Sequence, residues 1–220
     1  MCFAPQADVV GGAVVTAIGV DACLHLKGRR DHILLAALPL VLGIHQLIES
    51  VVWWGSEGDL PHELTRTALW VYLLIAFVVL PIMVPLAVMA LEPQRRRWRM
   101  VPFVGLGGAV SIRLLVAMVS GPLGVRVQPW HLEYSVRLGS GGVVVGLYVV
   151  AICGALLFSG YHHVFVFGLV NLVAVGLLAW LLIDGFASLW CGYAAITAGA
   201  ITWHVRYAPP HRDTPYLLSV

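Results

Sequence analysis

Seven stretches of apolar residues, each near the length needed to cross a bilayer, run through this chain at 5–26, 33–55, 67–91, 100–120, 140–158, 162–183 and 185–206. A helix needs about 20 such residues to span the hydrocarbon core. No irregular backbone can be exposed to lipid, because every N–H and C=O must find a partner within the segment. The runs therefore predict an all-α, polytopic membrane protein with seven transmembrane helices. The first run is the weakest, since Asp8, Gly11, Gly12 and Asp21 lie in or beside it. The alternative is six spans plus an interfacial first helix.

Composition agrees. Of 220 residues, 60% are hydrophobic and only 11% charged, and mean hydropathy is +0.90. A soluble domain carries roughly 25% charged residues, so too few are present to coat a water-exposed surface. No basic region precedes the first apolar run, and no cleavable signal peptide is expected. Cys2, Cys23, Cys153 and Cys191 show neither a disulfide framework nor zinc-finger spacing. No nucleic-acid partner is expected. The expected partners are the lipid bilayer and a homo-oligomer or larger membrane complex.

The basic residues orient the bundle. With seven spans, Lys27, Arg29, Arg30, Arg95, Arg96, Arg97, Arg99, Arg206 and Arg212 all fall on one side. The other side has only Arg66, Arg126 and Arg137, mixed with Glu57, Asp59, Glu63 and Glu133. The positive-inside rule makes the first side cytoplasmic, with the N-terminus out and the C-terminus in. Trp53, Trp54, Trp70, Trp130, Trp180 and Trp190 then lie near the outer boundary, and Trp98 and Trp203 near the inner one. A bacterial plasma (inner) membrane is the expected location. Residues 1–207 make one bundle, and the proline-containing 208–220 is expected to be a disordered cytoplasmic tail. The loop 121–139 is long enough to fold over the outer mouth as a lid.

Ionisable residues at membrane depth are costly and turn inward toward partners. His45 and Glu49 stand four apart in the second span and share one helix face. Three readings are open: an ion pair of Glu49 with Arg113 of the fourth span, a metal site, or a proton relay. Imidazole and carboxylate at this spacing can converge on one ion. Cys2 and His131 could join as further ligands on the outer side, as could Asp8, Glu133, Asp184 and Cys191. Removal of Met1 would leave Cys2 with a free amine beside its thiol, a chelating pair. Asp21 and His25 repeat the acid–imidazole spacing on the inner side, near His32, His162, His163 and His204. Asn171 reads as interhelical glue, and Pro81 and Pro85 as the cause of a kink in the third span.

Some chemistry is excluded. The only lysine is Lys27, in a loop, so no retinal Schiff base can form in the last span. Phosphate-loop, GxSxG and HExxH motifs are absent. The expected cofactor is a transition metal (zinc, copper or iron), with haem behind it. The expected role is binding or redox work in an outward-facing pocket. A proton-coupled solute transporter, an intramembrane metal-dependent enzyme and an accessory subunit of a membrane complex are the rivals.

Met1-Cys2-Phe3, Ala-Ile-Gly-Val-Asp at 17–21, Leu-Pro-Leu at 38–40, Gly-Ile-His-Gln-Leu-Ile-Glu at 43–49 and Phe-Ala-Ser-Leu-Trp-Cys at 186–191 carry a resemblance. The chain resembles an uncharacterised bacterial family of multipass membrane proteins that begin Met-Cys-Phe-Ser, with Ala4 here in place of that serine. The resemblance implies a multipass fold and brings no activity with it.

Overall fold

The computed structural model describes residues 5–26, 29–128, 132–181 and 197–202, of which 178–181 are described by their backbone alone. The helices are α1 (Pro5–Leu24), α2 (Ile33–Glu57), α3 (His62–Leu74), α4 (Leu80–Leu91), α5 (Val101–Ser120), α6 (Gly141–Leu157) and α7 (His162–Leu181). Residues 197–202 are also helical. The rod formed by α3 and α4 is continuous through a π-helical turn, Ile75–Val79. Among the described residues, four helical stretches are long and apolar enough to cross a membrane: Pro5–Leu24, Arg30–Glu57, His62–Leu91 and Arg97–Ser120. The third begins five residues earlier than the apolar run from 67, because polar His62–Arg66 continues the helix outward. The expected seventh span, 185–206, lies outside the described residues except at 197–202, and the tail 208–220 lies wholly outside them.

Small residues let α1 and α2 approach closely. Gly12, Val15, Gly19 and Ala22 form the buried face of α1. A Cβ on Gly19 would collide with the backbone of Leu40, and one on Gly43 with the backbone of Thr16. Close small-residue contacts of this kind are a common way for bilayer-crossing helices to pack, since lipid supplies no hydrophobic drive between them. Their register is antiparallel, pairing Gly19 with Leu40 and Gly12 with Leu47. α2 ends at Gly58, in the left-handed region at φ 95°. There its N–H and that of Asp59 bond back to Gly55 and Trp54, a glycine-closed helix end.

The π turn Ile75–Val79 lies immediately before Pro81, one of the two prolines expected to kink this span. Pro81 has no N–H to donate, and the chain upstream widens by one residue. Side chains of neighbouring helices meet the carbonyls of this turn. The Tyr148 hydroxyl of α6 donates to Ala76 O at 2.8 Å, and the Ser111 hydroxyl of α5 donates to Val78 O at 3.0 Å. Gly107 of α5 packs against the Pro81 carbonyl so tightly that a Cβ would clash.

At the arginine-rich end, Glu92 closes α4. Its Oε1 accepts the Ser159 hydroxyl and the Gly160 N–H, each at 2.7 Å. Its backbone carbonyl accepts Arg97 Nε at 3.1 Å. The Tyr161 hydroxyl donates to Leu91 O at 3.2 Å. The α4–α5 and α6–α7 turns are thus tied together. Asn171 donates within its own helix, to Phe167 O at 2.8 Å. That bond corrects the interhelical role expected for it: the Asn amide reaches the carbonyl one turn back on its own helix.

The loop after α5 departs from a purely helical chain. Leu123–Val127 (β1) and Leu132–Val136 (β2) pair antiparallel, with Gly124 opposite Ser135 and Arg126 opposite Glu133. Leu123, Val125 and Val127 alternate with Gly124 and Arg126, and Leu132, Tyr134 and Val136 with Glu133 and Ser135. That period of two suits a strand with one covered face. Leu132 is buried in a cluster with Val52, Trp53, Leu69, Tyr72, Leu73 and Met118, and Leu123, Val125, Tyr134 and Val136 pack against it. The hairpin therefore lies over the ends of α2, α3 and α5, the place expected of a lid.

Candidate functional site

One face of α2 carries buried polar groups: His45, Gln46, Glu49, Ser50 and Trp53 are each under a tenth exposed, and Glu49 is 0% exposed. The face arises from helical spacing, since positions 45, 46, 49, 50 and 53 recur every three or four residues. Across the seam, α1 brings up Asp8, only 2% exposed. The register of Gly12 with Leu47, carried one turn further, sets Asp8 level with Ser50 and Val51.

An aromatic column builds the other wall. The His45 ring stacks on Tyr72 of α3, centroids 4.0 Å apart and planes 17° apart. Tyr72 stacks in turn on Tyr134 of β2 at 4.6 Å and 22°. The Tyr134 hydroxyl then donates to Glu49 Oε1 at 3.3 Å. His45 and Glu49 are thus linked twice: along one turn of α2, and around through two tyrosines from two other elements. Among the described residues neither His45 Nε2 nor Trp53 Nε1 has a hydrogen-bond partner. Ser50 satisfies its hydroxyl on Leu47 O at 2.7 Å.

Arg113 is not brought to Glu49. Its side chain lies on the exposed face of α5, close to Gly139. α2 packs chiefly on α1, α3 and α4, whereas α5 packs on α4, α6 and the π turn. The α3–α4 rod therefore separates the two residues, and similar depth in the bilayer does not make them neighbours. Asp21 and His25 do meet, with Nδ1 3.2 Å from Oδ1, both about one-third exposed. His32 Nδ1 lies 3.2 Å from Asp31 Oδ2, and His163 packs on Tyr161. Among the described residues no group of three His, Cys, Asp or Glu side chains converges as a metal site, at either end. Cys2, His131, Asp184, Cys191 and His204 lie outside the described residues.

Between the Glu49 level and the Asp21 level, the described α1–α2 seam carries buried Val15, Gly19 and Pro39 and the buried polar Gln46, whose Oε1 lies against Gly11. Thr16 also lies in it, with its hydroxyl against Gly43.

Sequence reasoning missed Tyr72 and Tyr134. The alternation over 123–136 is the signal for Tyr134, because it marks a strand whose inner face includes that ring. Nothing local singles out Tyr72, which sits in an ordinary apolar run.

The family described as "Family of unknown function (DUF6629)" matches residues 1–214. The chain belongs to DUF6629. No curated protein and no solved structure matches it. Membership in DUF6629 covers the α2 face, the hairpin and the terminal segment carrying Cys2, and assigns none of them a role.

Proposed function

We propose that this DUF6629 protein spans a bacterial plasma membrane seven times, N-terminus out, and binds a transition metal in an outward-facing pocket built on His45 and Glu49. The supporting observation is a fully buried carboxylate one helical turn from a buried imidazole whose Nε2 lacks a hydrogen-bond partner among the described residues. An imidazole nitrogen buried without a partner is costly, and a cation ligated by His45 beside the Glu49 carboxylate would offset that cost. Imidazole with carboxylate suits zinc, copper or iron. The surroundings resemble the outer shell that orients metal ligands: Tyr134 holds the carboxylate and Tyr72 holds the imidazole plane. Two protein donors are fewer than such ions require, so the reading assigns the completing ligands to Cys2 and His131. The hairpin over the pocket would screen the site from bulk water.

A proton-coupled carrier needs a continuous polar path from Glu49 to Asp21 and His25, and buried Val15, Gly19 and Pro39 break one along the described α1–α2 seam. The test is elemental analysis of the full chain purified in detergent, native against His45→Ala and Cys2→Ala. Stoichiometric metal in the native protein, with affinity weakened at least ~10-fold in each variant, is the expected result. Equal and negligible metal in all three proteins removes the reading.

A further inference from the structure

At the arginine-rich end, a cleft of about 570 Å³ opens between the start of α2 and the end of α4. Leu34, Leu86 and Met89 form its apolar wall, and Arg30, Asp31 and Arg97 its polar rim. Arg97 is held in place: Nε donates to Glu92 O at 3.1 Å and Nη2 to Ala90 O at 3.3 Å. Nη1 carries none of the described hydrogen bonds. Arg30 sits opposite, on the 3-10 turn Arg30–His32 that leads into α2. Asp31 also lines the cleft, with its carboxylate beside His32. Two guanidinium groups against one carboxylate leave the rim net positive.

We infer that this cleft binds one anionic phospholipid of the adjoining leaflet, its headgroup phosphate between Arg30 and Arg97 and an acyl chain along Leu34, Leu86 and Met89. A basic pocket between membrane helices selects anionic headgroups. Guanidinium matches phosphate oxygens geometrically. The carbonyl bonds of Arg97 fix one cation before the lipid arrives, so less side-chain freedom is lost on binding. The apolar wall distinguishes this site from the nearby Arg95 and Arg99, whose charge serves orientation equally well on an open surface. The site is independent of any metal at the opposite end.

Native mass spectrometry of the full chain in detergent, titrated with phosphatidylglycerol and with phosphatidylcholine of the same acyl chains, tests the assignment. Phosphatidylglycerol is expected to bind about tenfold tighter or more, from two basic contacts near the surface. Arg30→Gln with Arg97→Gln should abolish that preference, while Arg95→Gln with Arg99→Gln should leave it largely in place. Leu86→Trp, which fills the cleft and keeps every charge, should weaken binding too. It stands in for the double variant if that protein does not fold. Equal binding of the two lipids, equal losses from both arginine pairs, or binding unaffected by Leu86→Trp overturns the proposal. Complete competition by inorganic phosphate would mark a free-anion site and also overturn it.

Discussion

The Tyr134 hydroxyl of the hairpin donates to Glu49 Oε1 of α2 across 3.3 Å, joining a surface loop to a carboxylate with 0% exposure. Tyr134→Phe keeps the ring on Tyr72 and removes only the donor. A buried acceptor that loses a partner costs about 1–3 kcal/mol, so thermal unfolding in detergent should shift down. Glu49→Gln should shrink the effect of Tyr134→Phe, because the two residues share one interaction. Additive effects of the two substitutions would show that no such bond operates in the folded protein.

The α1–α2 seam makes a sharper claim. Gly43→Val must push the backbone of Thr16 away, whereas Gly105→Val on α5 meets nothing within 4 Å. Overpacking of this kind costs roughly 1–3 kcal/mol or more. Gly43→Val should therefore lower the unfolding temperature and the yield of folded protein, and Gly105→Val should change little. Comparable behaviour of the two variants in a detergent melt contradicts the close approach.

The π turn predicts a conditional effect. Ser111→Ala leaves Val78 O without its 3.0 Å donor, and Tyr148→Phe does the same to Ala76 O. Each loss should cost about 1 kcal/mol. In a Pro81→Ala chain the helix regains an N–H donor that can reach Ala76 O in the π register, so Tyr148→Phe should then cost less and Ser111→Ala the same. A double-mutant cycle measures the difference. A cost of Tyr148→Phe independent of position 81 would mean that its hydroxyl does not compensate for the proline.

Glu92 ties two turns through hydrogen bonds to Ser159 and Gly160, both at 2.7 Å. Bonds to a charged acceptor contribute about 1.5–3 kcal/mol. Glu92→Ala should consequently destabilise more than Ser159→Ala, which removes one bond and keeps the other. Limited proteolysis should cut Glu92→Ala first at the α4–α5 or α6–α7 turn. If Ser159→Ala proves the more damaging of the two, the carboxylate is not the hub.

Orientation is open to direct measurement. Asp59 and Gln94 are both exposed and lie at opposite ends of the α3–α4 rod. In a chain whose native cysteines are replaced by serine, a membrane-impermeant maleimide added to intact cells should label Asp59→Cys. Gln94→Cys should react only after lysis. The reverse pattern inverts the topology and puts the pocket on the cytoplasmic side.

Much of this architecture could be read locally. Apolar runs anticipated α1, α2, α3–α4, α5, α6 and α7, because a run of apolar residues that must satisfy its own backbone forms a helix. Helical spacing put His45 and Glu49 on one face, and put Asp21 beside His25. These relations involve residues within one turn of each other, so the sequence alone determines them. The partner of Glu49 is a different kind of fact. Arg113 has the complementary charge and a matching depth, yet α5 packs on the far side of the α3–α4 rod. Tyr134 reaches Glu49 because a hairpin folds back over the mouth. Which helices become neighbours depends on how all the small-residue faces and apolar surfaces assemble at once. That decision belongs to the tertiary structure, because no single segment carries the energies that settle it.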